Sequence, residues 1–210
     1  MNFPPQQVRG RTERGFADPV LDAQASFRGA LSALAEPGIV LGVATPAGCC
    51  PGFSPAMTAL ALTLLDFETR AWLDAGSQGM AASYLRFHTG VRLVERLEEA
   101  MFAFITRPSE MPPLSSFAQG TLEYPDTSCT IVVDISVIET AHGWWLSGPG
   151  IPGTRRLNLQ PLPETLATDI AASQAAFPLG VDLFFCRDAT IAALPRSTRV
   201  TTAEGVQPCT

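Results

Sequence analysis

The sequence predicts an α/β protein, a three-layer domain in which a mixed sheet is covered by helices. Three observations carry that expectation. Helical and extended patterns alternate through the first half of the chain. Residues 129–138 place Ile131, Val133, Ile135 and Val137 on one face and Val132 and Ile138 on the other. A strand apolar on both faces belongs inside a covered sheet. Finally, residues 181–186 and 190–194 are two extended runs flanking Arg187-Asp188, which read as a hairpin.

In chain order, Asp18-Pro19 opens the first helix, because Asp is a good N-cap and Pro suits the first helical position. Leu21, Phe27, Leu31 and Leu34 follow at roughly helical spacing, and Pro37 disfavours helical geometry at Glu36. Gly38 then suits a turn of positive φ, followed by a short strand over 39–43. After the loop TPAGCCPGFS, a buried helix is expected over about 55–65 and a short strand over 71–73. A third helix over 77–87 stops at Thr89-Gly90. A strand over 101–105 and a short helix over 109–117, weakened by Pro112 and Pro113, complete the first half. In the second half, residues 144–147 are expected to pair with the 129–138 strand around a turn at His142-Gly143. An amphipathic helix over 163–175 carries Leu166 and Ile170. The domain is expected to span residues 18–203, with a mobile basic tail over 1–17 and a short tail over 204–210.

Composition narrows the function. Hydrophobic residues make up 46% of the 210 and charged residues 16%, a thin charged surface that suits coverage by partners. A net charge of −6 argues against broad nucleic-acid binding, which depends on cations neutralising phosphates. All 14 basic residues are arginine. Without lysine, neither a Schiff base to pyridoxal phosphate nor a Walker-type phosphate loop can form. The five cysteines show no C-x-x-C spacing, and Cys129 and Cys186 lie in apolar runs where thiols pack as small hydrophobes. A reducing compartment follows, with no metal expected. With no apolar leader at the N-terminus and no run of about 18 apolar residues, the expected location is the cytoplasm and no membrane partner is expected.

The candidate functional residues form separate words. Arg86 and His88 close the third helix, where cations meet the negative end of the helix dipole. There they serve an interface, an anion or, alternatively, acid–base chemistry by His88. Asp182 begins a strand and needs a partner if buried, and Arg196 is the obvious one. Arg196 with Ser197 and Thr198 offers a second reading as a phosphate site. The glycine-rich SGPGIPGTRR segment, residues 147–156, is either an anion loop or a pair of turns followed by charge. No G-x-S-x-G and no paired histidines are present, so no self-contained catalytic constellation emerges.

The ordered set DAQASFRGALSALAEPG, LRFHT, GPGI, FPLGVDL and LPRST resembles the PhnH family, the H subunit of the bacterial carbon–phosphorus lyase core complex. The resemblance covers roughly residues 18–200; the GCC loop and the basic N-terminal tail fall outside it. It implies a trimmed relative of the pyridoxal-phosphate-dependent transferase fold that forms a homodimer and holds no cofactor. It further implies work with the G, I and J subunits, with the accessory L subunit linked to the same step; that machinery displaces adenine from ATP with a phosphonate to give a ribose 1-phosphonate 5-triphosphate. In that setting Arg86, His88, Asp182, Arg196 and Thr198 are expected to shape an interface or an anion-binding surface. The alternatives are an independent transferase or hydrolase using His88, and a module that binds phosphonate or nucleotide.

Overall fold

The computed structural model describes residues 14–202. The tails expected over 1–17 and 204–210 therefore lie outside the described residues, apart from 14–17. That last stretch is held: the Gly15 carbonyl accepts the Ala47 N–H at 2.9 Å.

The fold is mixed α/β. A seven-stranded sheet has the order β1 (Leu41–Gly42), β9 (Thr190–Leu194), β8 (Asp182–Arg187), β5 (Thr130–Asp134), β4 (Phe102–Ile105), β2 (Arg70–Leu73), β3 (Arg92–Leu93). The five strands from β8 to β3 run parallel, and β9 and β1 close the other edge antiparallel. A second sheet sets β6 (Val137–Ser147) between β10 (Arg199–Thr201) and β7 (Arg155–Gln160).

Alternation along the strands divides the core into two layers. Val132, Phe184, Cys186 and Ala193 face α1 (Pro19–Ala35), α2 (Pro55–Leu64) and α3 (Met80–Thr89). Ile131, Val133, Leu183 and Phe185 face the second sheet and α4 (Leu166–Ala175). The expected helical cover thus holds on one face. On the other, a small sheet does most of the covering.

That difference traces to where one strand ends. The 129–138 run is not one strand: β5 ends at Asp134, and Ile135 and Ser136 carry the chain across to the second sheet, their N–H groups bonding Cys186 O and Gln160 O. Residues 144–147 consequently pair with β7 and β10 rather than with β5. His142-Gly143 lies in an irregularity inside β6, not in a turn. Gly143 takes φ 97° there, and a Cβ would sit 2.4 Å from Leu157 O.

The helix signals act as expected. Asp18 accepts the Val20 and Leu21 N–H groups, Ser54 caps α2 through the Met57 N–H, and Gly90 stops α3 with φ 72°. α3 begins at Met80 rather than Ser77, because Ser77 is bound back to Asp74. The short helix expected over 109–117 is two 3₁₀ turns, Pro108–Glu110 and Leu114–Ser116, split by Pro112 and Pro113. In α1 the packing face is made of Ser26, Ala30 and Ala33, while Leu21, Phe27 and Leu31 point outward.

Candidate functional site at the carboxyl edge of the parallel strands

The parallel strands reverse their spatial order at β2: β3 lies on one side of it and β4, β5 and β8 on the other. In open α/β sheets the loops leaving the two strands at such a switch diverge and leave a crevice for ligands. Here the loops after β2 and β4 are tied only at their first residues, by Asp74, which is buried directly after β2, before one continues to α3 on one face of the sheet and the other to Met111 and Leu114 on the opposite face. Its carboxylate accepts the Thr106 and Arg107 backbone N–H groups at 2.7 and 2.9 Å, the Thr106 hydroxyl at 2.9 Å and the Ser77 hydroxyl at 2.7 Å. Gly76 permits the approach, since a Cβ there would lie 2.5 Å from Thr106 Oγ1. Beside this junction is a cavity of about 190 Å³, walled by Trp72, Ile105, Met111 and Pro112 and edged by Arg107 and Glu110. Arg107 Nη1 is 3.4 Å from the Glu110 carboxylate.

One strand further on, β5 delivers Asp134 to the same edge. Its carboxylate accepts the Ser54 N–H at 2.8 Å and the Ser54 hydroxyl, tying the start of α2 to the sheet. Burial pushes the Asp134 carboxyl up to about 6; the Ser54 hydrogen bonds oppose the rise and the nearby Asp74 charge adds to it. The folded value lies above the ordinary 3.8. The folded state therefore holds this proton when the unfolded chain has lost it. Stability from this group is present below pH ~4 and is lost as pH rises through ~6, on the order of 2–3 kcal/mol. Asp134→Asn should remove that component. Thermal melts from pH 4 to 7 should show the variant losing less stability with rising pH than the parent; parallel profiles would refute the assignment.

The residues singled out from the sequence lie elsewhere. Arg86 is exposed in the last turn of α3. His88, half-buried, packs its ring 4.2 Å from Tyr84 and 5.0 Å from Phe87, centroid to centroid. Asp182 and Arg196 pair at 2.6 Å at the amino end of β8. All five guanidinium N–H donors of Arg196 are engaged: with Asp182 twice, Ser128 Oγ, Pro125 O and Pro178 O. None remains for an anion. Thr198 is buried, and its hydroxyl has no partner among the described residues. The two groups belong to different strand ends, since α3 leads into β3, four positions along the sheet from β8. The two arginines that end the glycine-rich segment are engaged as well, apart from the buried Arg156 Nε, which has no hydrogen-bond partner among the described residues. Arg155 donates to Glu36 O and Pro37 O at the end of α1, and Arg156 lies 4.4 Å over the Trp145 ring.

Asp74, Thr106, Arg107 and Asp134 do not stand out in the sequence. The available signal is a polar residue directly after an apolar strand, as in WLD, FITR and VVD. Those endings converge only if the strands are parallel, and the pattern of a single strand does not reveal its pairing.

Known proteins point in one direction. The model of the bacterial phosphonate metabolism protein family PhnH matches residues 14–201. The chain is 37% identical, over 186 residues, to the alpha-D-ribose 1-methylphosphonate 5-triphosphate synthase subunit PhnH of Rhizobium meliloti, covering 88% of this chain and 93% of that one. It is 28% identical, over 179 residues, to the putative C-P lyase subunit protein HtxG of Stutzerimonas stutzeri, covering 84% and 85% respectively. With the match spanning nearly all of the folded domain, this chain belongs to the PhnH family of bacterial phosphonate metabolism proteins.

Proposed function

We propose that this protein is a subunit of a carbon–phosphorus lyase core complex, where it assists transfer of the ribose triphosphate moiety of ATP to a phosphonate, displacing adenine. The observation that carries this is the 37% identity to the Rhizobium subunit, extending over 93% of that subunit. An assisting role fits the state of the charged side chains, because Arg196, Arg155 and Arg156 hold the fold together.

In this reading the chain pairs with itself and works with the G, I and J subunits in the cytoplasm. The outward apolar residues of α1, Val20, Leu21, Phe27 and Leu31, support a surface that is covered in an assembly. Among the described residues, the free thiols of Cys50, Cys129 and Cys186 fit a reducing compartment. Among the described residues, no helix is long and apolar enough to cross a membrane. Arg86 and His88 at the end of α3 are proposed as part of a docking or anion-facing surface, and the Asp182, Arg196 and Thr198 cluster as the scaffold beneath one. The large, mostly parallel sheet supports a trimmed transferase-like fold, and the absence of lysine supports operation without pyridoxal phosphate.

The test is co-expression with tagged G, I and J subunits from one phosphonate operon. This chain should elute with them in fixed ratio. Assembly of the other three while this chain elutes alone would overturn the reading.

A further inference from the structure

The cavity at the switch point has a chemistry of its own. Its walls are an indole, a thioether, an isoleucine and a proline ring, supplied by Trp72, Met111, Ile105 and Pro112. At about 190 Å³ it lies below the ~300 Å³ at which drug-sized pockets begin, so it takes a fragment of one ring system. The polar edge is a guanidinium and a carboxylate side by side, Arg107 and Glu110. Of the five guanidinium donors of Arg107, only one, on Nη1, has a partner among the described residues. The Asp74 oxygens are spent on Ser77, Thr106 and the Arg107 backbone.

Charge decides between ligands. Asp74 and Glu110 are two carboxylates against one guanidinium at this rim. A phosphonate or phosphate placed here would meet an arginine whose charge is already balanced, with a second carboxylate behind it. A flat neutral ring meets no such opposition. It gains apolar contact with the walls, and the planar guanidinium is suited to stack on it or to donate to a ring nitrogen. The Glu110 carboxylate, lining the cavity next to Arg107, is placed to accept an exocyclic N–H of such a ring. We infer that the cavity binds a neutral planar nitrogen heterocycle of the nucleobase class through its donor–acceptor edge. Choosing adenine as that base rests on the phosphonate-activating reading above; the preference for a neutral heterocycle over an oxyanion rests on the cavity alone.

The experiment is calorimetric titration of the full-length protein with adenine, and separately with methylphosphonate and inorganic phosphate. Adenine should saturate the protein, and the two anions should not compete with it. Ala75→Leu fills the mouth from an exposed position that lines the cavity and should weaken adenine binding at least tenfold without moving the melting temperature. Arg107→Gln should weaken it to a similar degree. A flat adenine titration with folded protein overturns the inference. So does adenine binding unchanged in both variants, or methylphosphonate binding that both variants abolish. A chain that joins the G, I and J subunits yet ignores adenine loses the pocket and keeps the subunit role. A chain that binds adenine and stays apart from those subunits does the reverse.

Discussion

Arg196→Met is expected to lower the melting temperature by roughly 10 °C. The pair is mostly buried: the Arg196 side chain is 16% exposed and that of Asp182 20%. Removing the guanidinium leaves the Asp182 carboxylate with only the Arg196 backbone N–H, and strips Ser128 Oγ, Pro125 O and Pro178 O of their donor. Breaking a buried pair from one side costs about 3–5 kcal/mol, because the remaining charge is stranded. The double variant Asp182→Asn with Arg196→Met should recover part of that loss, since no uncompensated charge remains. Circular dichroism melts of the two single variants and the double variant measure this directly. Losses that simply add would show that the two side chains do not act as a pair.

Asp74→Ala is expected to cost about 3 kcal/mol, visible as a lower urea midpoint with an unchanged slope. The substitution leaves the part-buried Thr106 and Arg107 N–H groups, the Thr106 hydroxyl and the buried Ser77 hydroxyl without their shared acceptor. Its effect should also be local. Amide exchange should accelerate at residues 74–79 and 106–110 before the strands β4 and β5 respond. Asp74→Asn retains one acceptor oxygen and should fall between the parent and the alanine variant. Uniform acceleration across the whole sheet would show that Asp74 does not specifically join these two loops.

Much of the fold is legible in the sequence because its signals are local. Asp18-Pro19, Ser54-Pro55 and Gly90 set helix ends through hydrogen bonds within a few residues, and the 182–187 and 190–194 hairpin needs only its own turn. The second sheet is hidden for a physical reason. Ile131, Val133 and Ile135 continue one alternating pattern past Asp134, so that face alone does not end the strand there; the only local break is the polar Asp134 itself on the opposite face. The marker is a long-range contact, the Ser54 hydrogen bonds that hold the Asp134 carboxylate. α1 misleads in a different way. Its large apolar residues have helical spacing, yet Ala30 and Ala33 face the sheet because α2 packs close, and Phe27 and Leu31 are left outward. The Asp182–Arg196 pair is readable from a charge at a strand start and an arginine just after the next strand. The carboxyl-edge crevice is not, since it is assembled from loops after β2 and β4 that only a parallel sheet brings together.

A chain that serves phosphonate activation as part of a complex must be needed for the activating step. The most direct measurement is reconstitution of the ATP-dependent step with methylphosphonate, using the G, I, J and L subunits with and without this chain and following adenine release together with the phosphorus NMR signal of the product. Product should form when this chain is present, and little or none when it is withheld. Equal rates with and without it would show that this chain has no part in the step.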